Sequence, residues 1–312
     1  MTRTGTPPSY RGYLFVMIAA LLWALSGTAG KYLFLGGMSP FVLVQVRVTF
    51  AALFLAIFFA LFRRDLLRIE RRDIPYFLLY GGIITGLVQL SYFYAISKIQ
   101  VAAAIFLQYL APVIVALFSI MFWKERLSGL KLLALLSAIA GCYLVVGGYD
   151  IEFLQMNRIG VAWGILSAFA FASYTLLGER GMQRYTPWTI LFYSYVFSAL
   201  TLNIIHEPFN YHLTTDYTPV QLLCIAYVVL FGTLIPFGLY LTGINHIRST
   251  RAIITATLEP ISASLVAFLI LGEALAPLQF AGGIFVIAAI VLLQMQREHD
   301  GLAPEVIRNT DR

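Results

Sequence analysis

Ile99-Gln100-Val101-Ala102-Ala103-Ala104-Ile105 returns 148 residues later as Ile247-Arg248-Ser249-Thr250-Arg251-Ala252-Ile253. The register continues without a gap. Leu110-Ala111-Pro112 lies over Leu258-Glu259-Pro260, and Lys124-Glu125-Arg126-Leu127 lies over Gly272-Glu273-Ala274-Leu275. Further out, Gly12 matches Gly160, Gly30 matches Gly178, Thr85 matches Thr233, Tyr92 matches Tyr240 and Leu144 matches Leu292. Two halves built on one plan are the simplest account.

Composition says what kind of half repeats. The 312 residues are 60% hydrophobic and 12% charged, with a mean hydropathy of +0.83. A soluble domain is about 25% charged, and this chain has too few charges to cover a water-facing surface of its size. Soluble enzyme, disordered chain and disulfide scaffold are excluded. Cys142 and Cys224 both sit in apolar runs, so neither indicates a disulfide framework or a metal cluster. A helix needs about 20 apolar residues to cross a bilayer core. Ten such stretches are readable, at roughly 13–35, 40–62, 74–96, 100–123, 128–148, 159–180, 187–206, 218–243, 250–272 and 276–296. They lack the period-2 alternation of a barrel. The first is too long for a signal peptide and has no clear cleavage site.

Charge placement sets the orientation. With the N-terminus inside, 17 of the 21 Lys and Arg fall on the inner side. Lys31, Lys98 and Arg158 fall outside, and Arg47 lies within the second span. Such a bias is the positive-inside signal, and it accounts for the net charge of +6 without nucleic-acid binding. Both termini are then cytoplasmic. Five helices per half is an odd number, so the second half enters the membrane inverted. The links agree: the five-arginine segment 63–73 faces in, and its counterpart at 206–218 has no Lys or Arg and faces out. Inverted repeats around a midplane site are typical of secondary transporters. The fold expected is an all-α integral membrane protein of ten transmembrane helices in an inverted 5+5 repeat. Its first unit covers 13–148 and its second 159–296, and a polar cytoplasmic tail at 297–312 is expected to fray.

The repeat carries a resemblance. Leu107-Gln108-Tyr109-Leu110-Ala111-Pro112 through Lys124-Glu125-Arg126-Leu127, and Leu258-Glu259-Pro260 through Leu271-Gly272-Glu273, resemble the two EamA domains of the drug/metabolite transporter superfamily. The resemblance covers about 13–294. It implies a carrier for small metabolites, often an exporter of amino acids or related compounds. Helices 3, 4, 8 and 9 would line a central cavity, with helices 5 and 10 peripheral.

Few residues can carry chemistry at mid-membrane. Pro112 and Pro260 each remove a helix hydrogen bond and free the carbonyls of Gln108 and Ala256. Such breaks survive in lipid only where something else satisfies the carbonyl. A matched pair of hinges is one reading, and static bends are the other. Glu259 lies about 12 Å past Arg251 at 1.5 Å per residue. An ionisable group at that depth faces a cavity or a partner. It fits a substrate-amine contact, a proton carrier, or a protonated structural group. Arg47 fits a carboxylate clamp, a partner for Glu259, or a side chain snorkelling to the interface. Gln108, Thr255 and the deep aromatics Tyr80, Tyr109, Trp163, Tyr174 and Tyr195 complete the expected substrate-binding set. Ordinary packing competes for each ring. Gln45 and Gln89 add polar donors, and Lys31 and its counterpart Glu179 are candidate gate-end charges. Gly81, Gly82, Gly86, Gly160, Gly164, Gly282 and Gly283 favour close helix contact.

No G-x-x-x-x-G-K-[ST] loop, H-E-x-x-H or aspartate pair is present, and His206, His212, His246 and His299 do not cluster. No cofactor, no metal and no catalysis are expected. The expected activity is secondary transport of a small metabolite, by alternating access, across an inner or plasma membrane, with proton coupling open. Partners are the solute and the lipid bilayer. A monomer suffices, and a loose dimer is compatible. A passive channel or scramblase is the main alternative, and a lipid-modifying membrane enzyme is a weaker one.

Overall fold

The computed structural model describes residues 10–123, 128–145, 148–149, 157–205, 217–263, 276–295 and 303–310. Among them every regular element is a helix. In chain order these are α1 (Tyr10–Leu35), α2 (Pro40–Phe62), α3 (Arg71–Lys98), α4 (Val101–Gln108), α5 (Ala111–Trp123), α6 (Gly129–Val145), α7 (Arg158–Met182), α8 (Pro187–Ile205), α9 (Pro219–Thr255), α10 (Pro277–Met295) and α11 (Pro304–Thr310). Seven helical stretches are long and apolar enough to cross a membrane: α1, α2, α3, Ala103–Phe122, α7, α8 and α9. Phe50, Phe54, Ile57 and Leu61 point outward from α2. In water such a face would be a liability, but against lipid it is ordinary. This is a multi-pass membrane protein. The turns around 124–127 and 272–274, the link 207–216 and the outer part of the ninth expected span lie outside the described residues.

Local signals place the helix starts. Ser39 caps α2 by accepting from the Phe41 N–H at 3.3 Å, with Pro40 in the first turn. Asn157 caps α7 through the Ile159 and Gly160 N–H groups. Thr218 and Gln221 form a reciprocal capping box on α9. After α1 the chain reverses through Gly37, whose φ of +92° suits glycine.

The halves cross each other closely. α1 runs along α9, and α7 runs along α3 and α4. A Cβ added at Gly12 would stand 2.6 Å from Ile247 Cγ2, and one added at Gly160 would stand 2.6 Å from Ile99 Cγ2. The four residues are two pairs 148 apart, so each half begins by crossing the other's helical turn through a glycine. α6 and α10 lie side by side, with Gly141 and Gly282 at their closest approach.

Two helices contain wide π-type turns, at Leu78–Thr85 in α3 and Leu230–Leu234 in α9. Each ends near a threonine that donates back to a carbonyl five residues earlier. Thr85 donates to Tyr80 O at 2.8 Å, and Thr233 donates to Val228 O at 2.6 Å. The proline-linked breaks are also present. α4 ends at Gln108 and α5 starts at Ala111, and the chain turns again at 256–257, before the helical residues 258–263.

The tail differs from the expectation of fraying. α11 is helical and anchored: Arg308 Nη1 donates to Met182 O at 2.7 Å, Tyr185 O at 3.0 Å and Asn245 Oδ1 at 3.1 Å. Glu305 pairs with His246. These anchors are orphan helix-end carbonyls and a polar side chain, which hydropathy does not register.

Candidate solute cavity

A cavity opens inside the bundle between Trp23 and Ser26 of α1, Arg47 of α2, Val88, Gln89 and Tyr92 of α3, Gln108 of α4, Phe171 of α7, Gly232 and Phe237 of α9, and Glu259. The cavity is narrow, about 30 Å³. That holds a few waters at most. A metabolite enters only when helices part. Among the described residues, neither α6 nor α10 contributes a wall. α3, α4, α9 and the segment at 259 do, and α1, α2 and α7 add three faces that the expected set of lining helices lacked.

Glu259 is buried, 4% exposed, beside the break at 256–257. The Tyr109 hydroxyl bridges two groups there, lying 2.7 Å from Ala256 O and 2.8 Å from Glu259 Oε2. The first contact adds to the Glu259 N–H, which reaches the same carbonyl at 3.0 Å in place of the bond that Pro260 cannot make. Tyr92 Oη faces the same carboxyl without reaching hydrogen-bond geometry.

Arg47 is 2% exposed, so it does not snorkel. It does not pair with Glu259 either. Nε donates to Thr233 Oγ1 at 2.6 Å, Nη2 donates to Gly232 O at 2.7 Å, and the guanidinium lies 4.8 Å over the Phe93 ring. It clamps the wide turn of α9 while one side faces the cavity. Gln108 Nε2 donates to Ser167 Oγ at 2.8 Å. Gln89 Nε2 and Trp23 Nε1 are buried with no partner among the described residues, so the cavity wall presents donors to whatever enters it.

The other expected residues stand elsewhere. Tyr195 donates to Thr233 O at 3.2 Å, behind the Arg47 clamp. Thr255 turns back onto Arg251 O of its own helix. Trp163 stacks on Tyr94 at 4.9 Å. Tyr80 and Tyr174 stack on each other at 5.1 Å, outside the cavity. Gln45 bonds Asn203. Conversely, Trp23, Ser26, Phe171 and Phe237 line the cavity although nothing singled them out. The available signal was Trp23 and Ser26 one turn apart on one face of α1, with Phe171 at the counterpart of Trp23.

The gate-end pair is fully engaged. Lys31 Nζ donates to Ile96 O at 2.6 Å and Ile99 O at 3.1 Å. Glu179 accepts from Ser249 N at 2.6 Å, Arg248 Nε at 3.0 Å and the Ser249 hydroxyl. Arg248 itself adopts φ +67°, a strained conformation for a residue with a side chain.

The EamA-like transporter family matches this chain twice, at residues 10–147 and 158–295. An inner membrane transporter of Salmonella typhimurium, YicL, named as uncharacterized, is 29% identical over 91% of this chain and 95% of its own. An Archaeoglobus fulgidus protein named as an uncharacterized transporter is 30% identical over 83% of this chain and 91% of its own. The riboflavin transporter ImpX of Fusobacterium nucleatum is 24% identical, covering 90% and 96%. A solved crystal structure superposes with a TM-score of 0.70 at 18% identity, covering 90% and 96%, and this likeness concerns the fold.

Proposed function

Because the chain belongs to the EamA-like transporter family, we propose that it is a secondary carrier that exports an amino acid or related small metabolite by alternating access. Ten helices in two inverted five-helix halves form it, embedded in the cell membrane with both termini cytoplasmic. The charge bias and the paired crossings at Gly12 and Gly160 support the inverted arrangement. One chain contains both halves, so a monomer is the working unit.

The observation that carries this reading is the Tyr109 bridge. A phenol has one proton, yet Tyr109 Oη lies within hydrogen-bond distance of two acceptors, Ala256 O and Glu259 Oε2. Ala256 O also accepts from the Glu259 N–H at 3.0 Å, so Tyr109 can donate to the ionised carboxylate, or donate to Ala256 O while a protonated Glu259 donates to Tyr109 Oη. A solute amine entering beside protonated Glu259 displaces that proton and takes the carboxylate as its partner. Arg47, Gln89 and the Trp23 indole face the solute's oxygens. Exchange of one proton for one cationic group links solute binding to pH.

Counterflow in proteoliposomes tests this. Vesicles are loaded with a pool of amino acids, and uptake of each labelled member is followed between pH 5.5 and 8.5. Wild-type protein gives saturable, pH-dependent counterflow. Glu259→Gln folds and loses the pH dependence, because the amide carries no exchangeable charge. A wild-type pH profile in Glu259→Gln overturns the assignment of Glu259. Non-saturable flux replaces the carrier with a channel.

A planar heterocycle is the second reading. Trp23, Tyr92, Phe171 and Phe237 wall the cavity, and one relative is named a riboflavin transporter. Riboflavin in the same assay separates the two.

A further inference from the structure

A second cleft of about 710 Å³ opens at the arginine-rich face, lined by Asp73, Tyr76, Arg180, Arg184, Tyr185 and Ile307 among others. Between it and the central cavity stands a column of rings. Tyr76 stacks on Tyr80 at 5.5 Å with planes 9° apart, and Tyr80 stacks on Tyr174 at 5.1 Å with planes 18° apart. Tyr174 meets Phe237 edge-on at 5.6 Å, and Phe237 is a wall of the cavity. The column therefore runs from one space to the other. Along α3 the order is the arginine link, Tyr76, Tyr80, then the cavity residues Val88, Gln89 and Tyr92.

The repeat shows how unequal the two sides of the cavity are. The counterparts of Tyr174, Phe237 and Tyr80 are Ser26, Gln89 and Val228. Ser26 and Gln89 border the cavity, as Phe237 does, whereas Tyr174 is packed behind Phe237 and Tyr80 is stacked on Tyr174. The added bulk of Tyr80 and Tyr174 fills the space between the cavity and the cleft.

The filling is held by ring packing and opposed by its own polar atoms. Tyr80 and Tyr174 are completely buried, and neither hydroxyl has a hydrogen-bond partner among the described residues. The two hydroxyls lie close enough to interact but short of hydrogen-bond geometry. Even a small shift that let one donate to the other would leave one O–H without an acceptor. A buried, unmatched donor costs free energy that is recovered when the rings part and water or a solute oxygen arrives.

We propose that the cleft is the inner vestibule of the solute path and that the Tyr76–Tyr80–Tyr174 stack is the gate between it and the central cavity. The stack is closed here, and its unmatched hydroxyls keep it poised to open. A solute crossing it offers acceptor oxygens, as a carboxylate or carbonyl does. The proposal rests on the carrier reading above.

The test needs no solute. A single cysteine, Val88→Cys, is placed in the cavity wall of a chain whose Cys142 and Cys224 are alanine. Inside-out and right-side-out vesicles are treated with the membrane-impermeant anion 2-sulfonatoethyl methanethiosulfonate. Replacing the rings by their counterparts, Tyr80→Val with Tyr174→Ser, raises labelling from the arginine-rich face by about tenfold or more. Tyr80→Phe with Tyr174→Phe keeps the rings and removes the unmatched donors, so labelling from that face falls by about tenfold. Opposite effects of the two pairs establish the gate. An unchanged rate in the small-residue pair overturns it, and an unchanged or faster rate in the phenylalanine pair overturns the role of the hydroxyls. Should the small-residue pair fail to fold, Tyr80→Val alone takes its place and is read the same way. A failed gate with intact counterflow rejects the gate only. Opposite labelling effects with no counterflow of any solute reject the carrier reading only.

Discussion

Lys31 and Glu179 occupy the same position in the two halves, on α1 and α7, and solve one problem with opposite charges. Each braces a turn of its own half, where one helix ends and the next begins. Lys31 sits at the end of α3, where carbonyls are left over, and a cation is the right partner for them. Glu179 sits at the Arg248 break, where N–H groups are left over, and a carboxylate is the right partner there. The repeat thus conserves the site of the brace while changing its polarity. The costs differ too. Gln100, the counterpart of Arg248, keeps an ordinary φ of −62°, whereas Arg248 is forced to +67°. The Glu179 network holds that strain, and the Lys31 brace holds none.

The comparison can be broken at graded strength. Glu179→Ala removes a carboxylate whose side chain is 3% exposed from three donors. Its loss destabilises the protein by about 3 kcal/mol or more, read as the largest fall in the thermal unfolding midpoint in detergent. Gly12→Ala and Gly160→Ala insert a methyl into contacts that leave no room. Each costs about 1–3 kcal/mol, and the two midpoints fall alike. A loss confined to one would end the claim of matched crossings. Lys31→Met costs about 1 kcal/mol, because its half-buried ammonium keeps partial access to solvent. A fall as large as that of Glu179→Ala would show the two braces to be equal. Pro112→Ala and Pro260→Ala change stability least, but each slows exchange across the membrane in stopped-flow counterflow. Wild-type kinetics in both would reduce the prolines to static bends.

What the sequence displayed follows from what is one-dimensional. Span length, apolar content and self-match at a fixed offset are properties of a line, so the helices and the repeat were readable from Ile99–Ile105 and its partner. Glu259 and Arg47 stood out because charge is rare in lipid, and both do line the cavity. Their partners were hidden. Arg47 binds a turn 185 and 186 residues away, and no local pattern marks Thr233 as its acceptor. The Tyr109 bridge crosses 147 residues to the carbonyl that Pro260 frees. Tyr80 and Tyr174 carry no signal that separates a gate from a wall, since a buried ring looks the same in either role. The anchoring of α11 rests on leftover carbonyls, which appear only once helices have ends.

The wide turns at Leu78–Thr85 and Leu230–Leu234 have a mechanical consequence. A π turn holds one residue more than the α-helix around it. If that surplus passes one position along, the residue it leaves rejoins the α-helix, and the side chain swings by about 100° while the axis hardly moves. α3 and α9 therefore each carry a unit of slack, with Thr85 and Thr233 marking where it now rests. Passing that wrinkle from turn to turn would re-aim a cavity wall, as a carpet is moved by pushing a fold across it.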